Sequence, residues 1–114
     1  MNKELLAQKI ADFDANNSIA TGQGIFGLPF DVEESEIILY PIPWDVTTSY
    51  RDGTSEGPAQ IFQASSQLDL YDPSFGEIWK RGIHLFQGHY EEIAKLNSNL
   101  RPIAAEYLRH LEQG

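Results

Sequence analysis

Cysteine is missing from these 114 residues, so neither a disulfide framework nor a thiolate site is available. Positive charge is scarce: eight Lys and Arg stand against seventeen Asp and Glu, a formal net charge of -9 at pH 7. That balance repels phosphate backbones and anionic lipid, and no Lys or Arg cluster is dense enough to overcome it locally, which disfavours nucleic-acid and membrane roles. Long apolar runs are lacking too: the longest, Ile37 to Trp44, is far too short to span a bilayer. Met1 to Asp12 carries acidic and amide residues where a secretion signal would place an apolar run. A soluble, cytoplasmic protein is expected. The 41% apolar fraction is that of a folded chain, and the length allows one modest domain or part of one.

No repeat or linker divides the chain, which alternates helix and strand. Leu5, Leu6, Ile10 and Phe13 recur at helical spacing and predict a short amphipathic helix between Asn2 and Asp14. Ala15 to Phe30, rich in Asn, Gly, Ser and Thr, reads as a loop or extended arm. Its Gly22, Gly24 and Gly27 lack the preceding strand and following Lys of a phosphate-cradling loop. Glu33, Glu34 and Glu36 read as a solvated acidic run. Glu36 to Ile42 has the length and branching of a strand buried on both faces, ended by Pro41 and Pro43. Such a run predicts a parallel sheet covered by helices.

A polar loop from Trp44 to Glu56 follows, then a helix opened by Gly57-Pro58 and running to about Gln67. Leu68 to Tyr71 and Gly82 to Phe86 are short strand candidates around the turn Asp72-Pro73-Ser74. Tyr71, Phe75 and Trp79 read as core or interface aromatics. From Tyr90 to Leu111 the apolar residues keep a helical period, with Pro102 expected to break it into two helices joined at Asn97-Ser98-Asn99. His84, His89 and His110 do not fall at the spacing of a helical metal pair and read as surface or packing residues. Asp69 and Asp72 could form a carboxylate pair, but a turn and cap around Pro73 accounts for them more simply.

The stretch Pro41-Ile42-Pro43-Trp44-Asp45, Thr48-Ser49-Tyr50-Arg51, Gly53 and Gly57-Pro58 resembles the amino-terminal signature of the agmatinases, in the ureohydrolase family with arginases and formiminoglutamases. The match covers roughly twenty residues in order and spacing. Three positions depart from it: Pro41 stands where the family usually has glycine, Asp52 where agmatinases favour proline, and Phe62 where an arginine is common. The resemblance implies a three-layer α/β/α fold with a mostly parallel sheet, of which residues 1–114 are the amino-terminal segment. It divides into an arm and helix (1–35), first strand, loop and helix (36–67), and short strands and terminal helices (68–114).

The resemblance also implies a manganese-dependent hydrolase that releases urea from a guanidinium compound, agmatine or arginine, through a metal-bridged hydroxide. It implies a homo-oligomer with a small-molecule substrate, while the net charge leads one to expect no nucleic-acid or membrane partner. The family's ligand motifs, Gly-Gly-Asp-His, Asp-Ala-His-x-Asp and Ser-x-Asp-x-Asp, do not occur here, so no catalytic or metal residue is assigned. This chain alone is expected to hold no manganese and to be inactive. Asp45, Thr48, Tyr50 and Arg51 follow the carboxyl end of a buried strand, where open α/β sheets place ligands. They read either as a substrate-binding or site-entrance loop, or as turn caps and an ion-paired arginine that organises a subunit contact. Pro43, Gly53, Gly57 and Pro58 are the motif's structural positions. A different reading of the whole is a non-catalytic ureohydrolase-like module that binds or regulates a partner through sheet edges and apolar helix faces.

Overall fold

The computed structural model describes residues 3–13, 24–49 and 51–113. Of the loop or arm expected from Ala15 to Phe30, residues 15–23, with Gly22, lie outside those described, as do Tyr50 and Gly114. The elements run α1 (Lys3–Asp12), β1 (Ile37–Leu39), α2 (Gly57–Ser65), β2 (Ile83–Leu85) and α3 (Tyr90–Gln113), with 3₁₀ turns at Ile25–Gly27, Thr54–Glu56 and Ile78–Arg81. Contacts divide the chain into two compact units, residues 1–40 with 61–86, and residues 41–60 with 87–114.

In the first unit β1 and β2 pair in parallel, with Ile37 opposite Ile83, Ile38 opposite His84 and Leu39 opposite Leu85. Parallel strands alternating along the chain with helices give the α/β class that the sequence leads one to expect. The sheet starts at Gly82, whose carbonyl accepts both the Glu36 and Ile37 amides at 3.1 Å. Glycine is required there: φ is +84°, and a Cβ would lie 2.6 Å from the Glu34 carbonyl oxygen. The strand expected over Glu36 to Ile42 is only three residues long, and Ile38 remains 42% exposed. A pair of three-residue strands cannot bury both faces of an apolar run. The strand expected at Leu68 to Tyr71 is also absent, because local bonds capture its amides: Leu68 N–H donates to the Ser65 carbonyl and Tyr71 N–H to the Asp69 carboxylate. A single antiparallel bridge joins Asp72 to Gly76.

The core of this unit is Leu28, Phe30 and Trp79, against which Leu6, Ile10 and Phe13 of the amino-terminal stripe pack. Phe13 tilts onto the Trp79 ring at 4.8 Å. Leu5, by contrast, is exposed, since the α1 stripe is narrower than the spacing suggests. Of the three aromatics read as core or interface residues, Trp79 is in the core, whereas Tyr71 and Phe75 are exposed. The acidic run is not simply solvated either. Glu34 Oε1 accepts Lys9 Nζ at 2.6 Å and the Asp31 amide at 3.1 Å, and Glu36 pairs with Arg81.

In the second unit α3 is one continuous helix through Pro102. The proline forfeits a single backbone bond, and the turn before it is tied down instead by Arg101, which donates to the Val46 and Thr48 carbonyls at 3.0 and 2.8 Å. Asn97 is therefore no joint: it is buried in the face of α3.

Candidate functional site

The segment after β1 is organised around one buried carboxylate. Asp45 is 3% exposed. Its Oδ2 accepts the Gly53 amide at 2.9 Å and the Ser55 amide at 3.2 Å. Its Oδ1 accepts Asn97 Nδ2 at 3.0 Å, while its own amide donates to Asn97 Oδ1 at 2.7 Å. The Asp45 carbonyl takes both the amide and the hydroxyl of Thr48, at 3.2 and 2.9 Å. A carboxylate fed by three N–H donors is stabilised in its charged form. The Gly53 amide contributes most, burial opposes it, Asn97 and Ser55 add to it, and the Asp45 carboxyl is held at about 2, below its ordinary 3.8.

These bonds dictate the local sequence. Gly53 has φ +114°, a conformation side chains rarely adopt, and it turns its amide onto Asp45. The chain then enters the Thr54–Glu56 turn and α2, which Gly57 opens with Pro58 in its first turn, where the missing amide costs nothing. Pro43 is fully buried just ahead of Asp45.

Of the four candidate residues, Asp45 is the hub, Thr48 folds back on it, Arg51 is exposed, and Tyr50 lies outside the described residues. Asn97 and Arg101 carry much of this arrangement, yet neither stands out in the motif. The signal that could have revealed Asn97 is its register: it shares the half-buried face of α3 with Ile93, Ala94, Ala104 and Leu108, where a polar side chain requires a partner.

The other chemistry-bearing residues are accounted for locally. Asp69 receives the Tyr71 amide, and Asp72 the Ser74 and Phe75 amides, so both cap turns. His84 Nδ1 lies 3.0 Å from the Phe30 carbonyl, which can only accept, so this nitrogen carries hydrogen. His89 Nδ1 lies 3.6 Å from Glu92, and His110 sits in the last turn of α3. The Gly24 and Gly27 amides turn inward onto the Leu28 and Gly24 carbonyls rather than outward to a phosphate. Among the described residues no three His, Asp or Glu side chains converge to hold a metal ion, so they do not fit the manganese pair implied by the resemblance. No described helix is long and apolar enough to cross a membrane.

The family model described as the arginase family matches residues 35–114, which takes in β1, the Asp45 segment, α2, β2 and α3. An N(1)-aminopropylagmatine ureohydrolase of Synechocystis is 42% identical over 43 residues, covering 38% of this chain and 14% of its own length. An agmatinase of Bacillus anthracis is 49% identical over 41 residues, covering 36% of this chain and 14% of its own length. An N(1)-aminopropylagmatine ureohydrolase of Thermus thermophilus is 30% identical over 83 residues, covering 72% of this chain and 28% of its own length. The chain thus spans less than a third of each of these relatives. No solved structure matches it significantly. With the family match running across more than half of its residues, the chain belongs to the arginase family.

Proposed function

We propose that this chain is the amino-terminal part of a cytoplasmic, homo-oligomeric, manganese-dependent hydrolase that releases urea from a guanidinium compound, agmatine first and arginine second. The observation that carries this reading is the family match over residues 35–114, supported by similarity to ureohydrolases and agmatinases. Within the proposal the described residues contribute structure rather than metal ligands, and the ligands are supplied by polypeptide beyond this chain. The Asp45 segment holds the substrate entrance in shape. Its carboxylate is committed to the Gly53 and Ser55 amides and to Asn97, so it acts as an organiser and not as a general base.

The test is metal analysis together with urea release from agmatine and arginine, comparing this chain with the full product of the reading frame that encodes it. The expected result is that the full product holds about two metal ions per subunit and releases urea, whereas this chain does neither. A full product that releases no urea from either compound overturns the proposal and favours a non-catalytic binding module.

A further inference from the structure

The first unit holds a hollow that no part of the Asp45 segment lines. This cavity of about 210 Å³ is walled by Phe26, Leu68, Leu70, Ile78, Trp79 and Ile83, with Asp69 and Asp72 as the charged residues of its lining. The walls are fixed by bonds that do not depend on an occupant. Phe26 is held at φ +59°, a conformation side chains rarely favour, and its amide donates to Ser65 Oγ at 2.9 Å. Asp69 Oδ1 accepts the Tyr71 amide, Asp72 Oδ1 accepts the Ser74 and Phe75 amides, and the Asp72–Gly76 bridge closes the turn that follows. A hollow framed in this way is preformed, and its volume is below that of sites for drug-sized molecules, so it suits a smaller one.

Charge selects the occupant. The turn-capping bonds of Asp69 and Asp72 all use Oδ1, and none uses Oδ2. The two cations of the Ile78–Arg81 turn are paired: Lys80, 5.9 Å from the centre of the Trp79 ring, meets Glu77 at 2.7 Å, and Arg81 meets Glu36 at 2.6 Å. The lining therefore sets two negative charges beside apolar walls. Among the described residues no three His, Asp or Glu side chains converge on a metal ion, and two exposed carboxylates beside hydrocarbon offer a metal too few ligands, so the cation that fits is organic.

We infer that this hollow binds a small organic monocation with an apolar body, an arylalkylammonium or branched alkylammonium, whose hydrocarbon part fills the space beside Trp79 and whose ammonium faces Asp69 and Asp72. The inference does not rest on the proposed function, because every residue it uses lies outside the Asp45 segment. Apolar contact supplies the affinity, and the two exposed acids, each contributing little alone in water, supply the preference for a cation.

The experiment titrates phenethylammonium chloride calorimetrically into the full product of the reading frame that encodes this chain, with 2-phenylethanol as a neutral probe of similar shape and 3-phenylpropionate as an anionic one. Phenethylammonium is expected to bind at one site per subunit, about fivefold more tightly than the alcohol, and the propionate is expected not to bind measurably. Asp69→Asn and Asp72→Asn keep the Oδ1 that caps each turn and remove only the charge, so each is expected to weaken the amine by about twofold, and both together to bring it to the level of the alcohol. Leu68→Arg, at a residue 57% exposed, sets a fixed cation beside the hollow and is expected to abolish binding with the thermal midpoint unchanged. Should Leu68→Arg fail to fold, the two Asn variants decide the matter alone. Equal affinity for the amine and the alcohol overturns the inference, as does an amine heat that none of the variants alters, which places the amine at another site. No binding at all also overturns it, and means that a second copy or polypeptide beyond this chain fills the hollow.

Discussion

At the residue scale the side chain that matters most is Asp45. Replacing it with alanine leaves the partly buried Gly53 and Ser55 amides and the buried Asn97 amide group without their acceptor, at a cost of about 2 kcal/mol. Chemical denaturation of this chain is expected to show that loss as a lower midpoint. Because the folded carboxyl is held at about 2, below its ordinary 3.8, the folded state binds the proton more weakly than the unfolded state. The stabilisation is therefore complete above about pH 4 and drains away as pH falls from 4 towards 2. An acid titration followed by circular dichroism should find that dependence flattened in Asp45→Asn; equal slopes in the two proteins would place the acid-sensitive group elsewhere. Two glycines separate strain from crowding. Gly53→Ala meets no atom within 4 Å and incurs backbone strain alone, about 1 kcal/mol, whereas Gly82→Ala adds a collision with the Glu34 carbonyl and the Ser35 Cα. Thermal denaturation is expected to rank Gly82→Ala as clearly the more damaging.

At the scale of elements, α3 makes a prediction through its proline. Pro102 is exposed and interrupts the helix's own bonding, so Pro102→Ala restores a backbone bond to Ser98 and is expected to stabilise the chain by about 2 kcal/mol. A lower thermal midpoint in that variant would mean that the proline is needed where it stands. The same helix marks where the sequence was legible and where it was not. Its apolar period located it, as the stripe from Leu5 to Phe13 located α1 and the run from Glu36 to Ile42 located β1, although β1 covers only Ile37–Leu39 of that run. The break at Pro102 was misjudged because what holds the helix together there is Arg101 bonding to carbonyls more than fifty positions earlier in the chain. The same distance in sequence hid Asn97 as Asp45's partner. Gly57-Pro58 was legible because its demand is local, on the helix start. Leu68 to Tyr71 failed as a strand for the opposite reason: the competing bonds lie two or three residues away and leave no trace in an apolar pattern.

At the scale of the molecule, many large apolar side chains among the described residues are exposed. Along α3, Leu96, Leu100, Ile103, Tyr107 and Leu111 form an exposed stripe, and Ile38 and Tyr40 are likewise open to solvent beside the sheet. An exposed apolar stripe such as that of α3 favours association, and salt screens the opposing repulsion of nine net negative charges. Light scattering of this chain in physiological salt is expected to show a mass that rises with concentration, reduced by Ile103→Lys. A concentration-independent monomer would overturn that expectation.

The parallel pairing of Ile37 with Ile83 carries a consequence in time. Made from its amino end, the chain releases β1 before β2 exists, and roughly 45 further residues must be added first. At about 5 to 20 residues per second, the apolar run around Ile37 waits some 2 to 9 seconds without its partner strand. During that interval it is an accessible target for any holdase at the ribosome exit, and a slow stretch of translation between the two strands would lengthen the exposure in direct proportion.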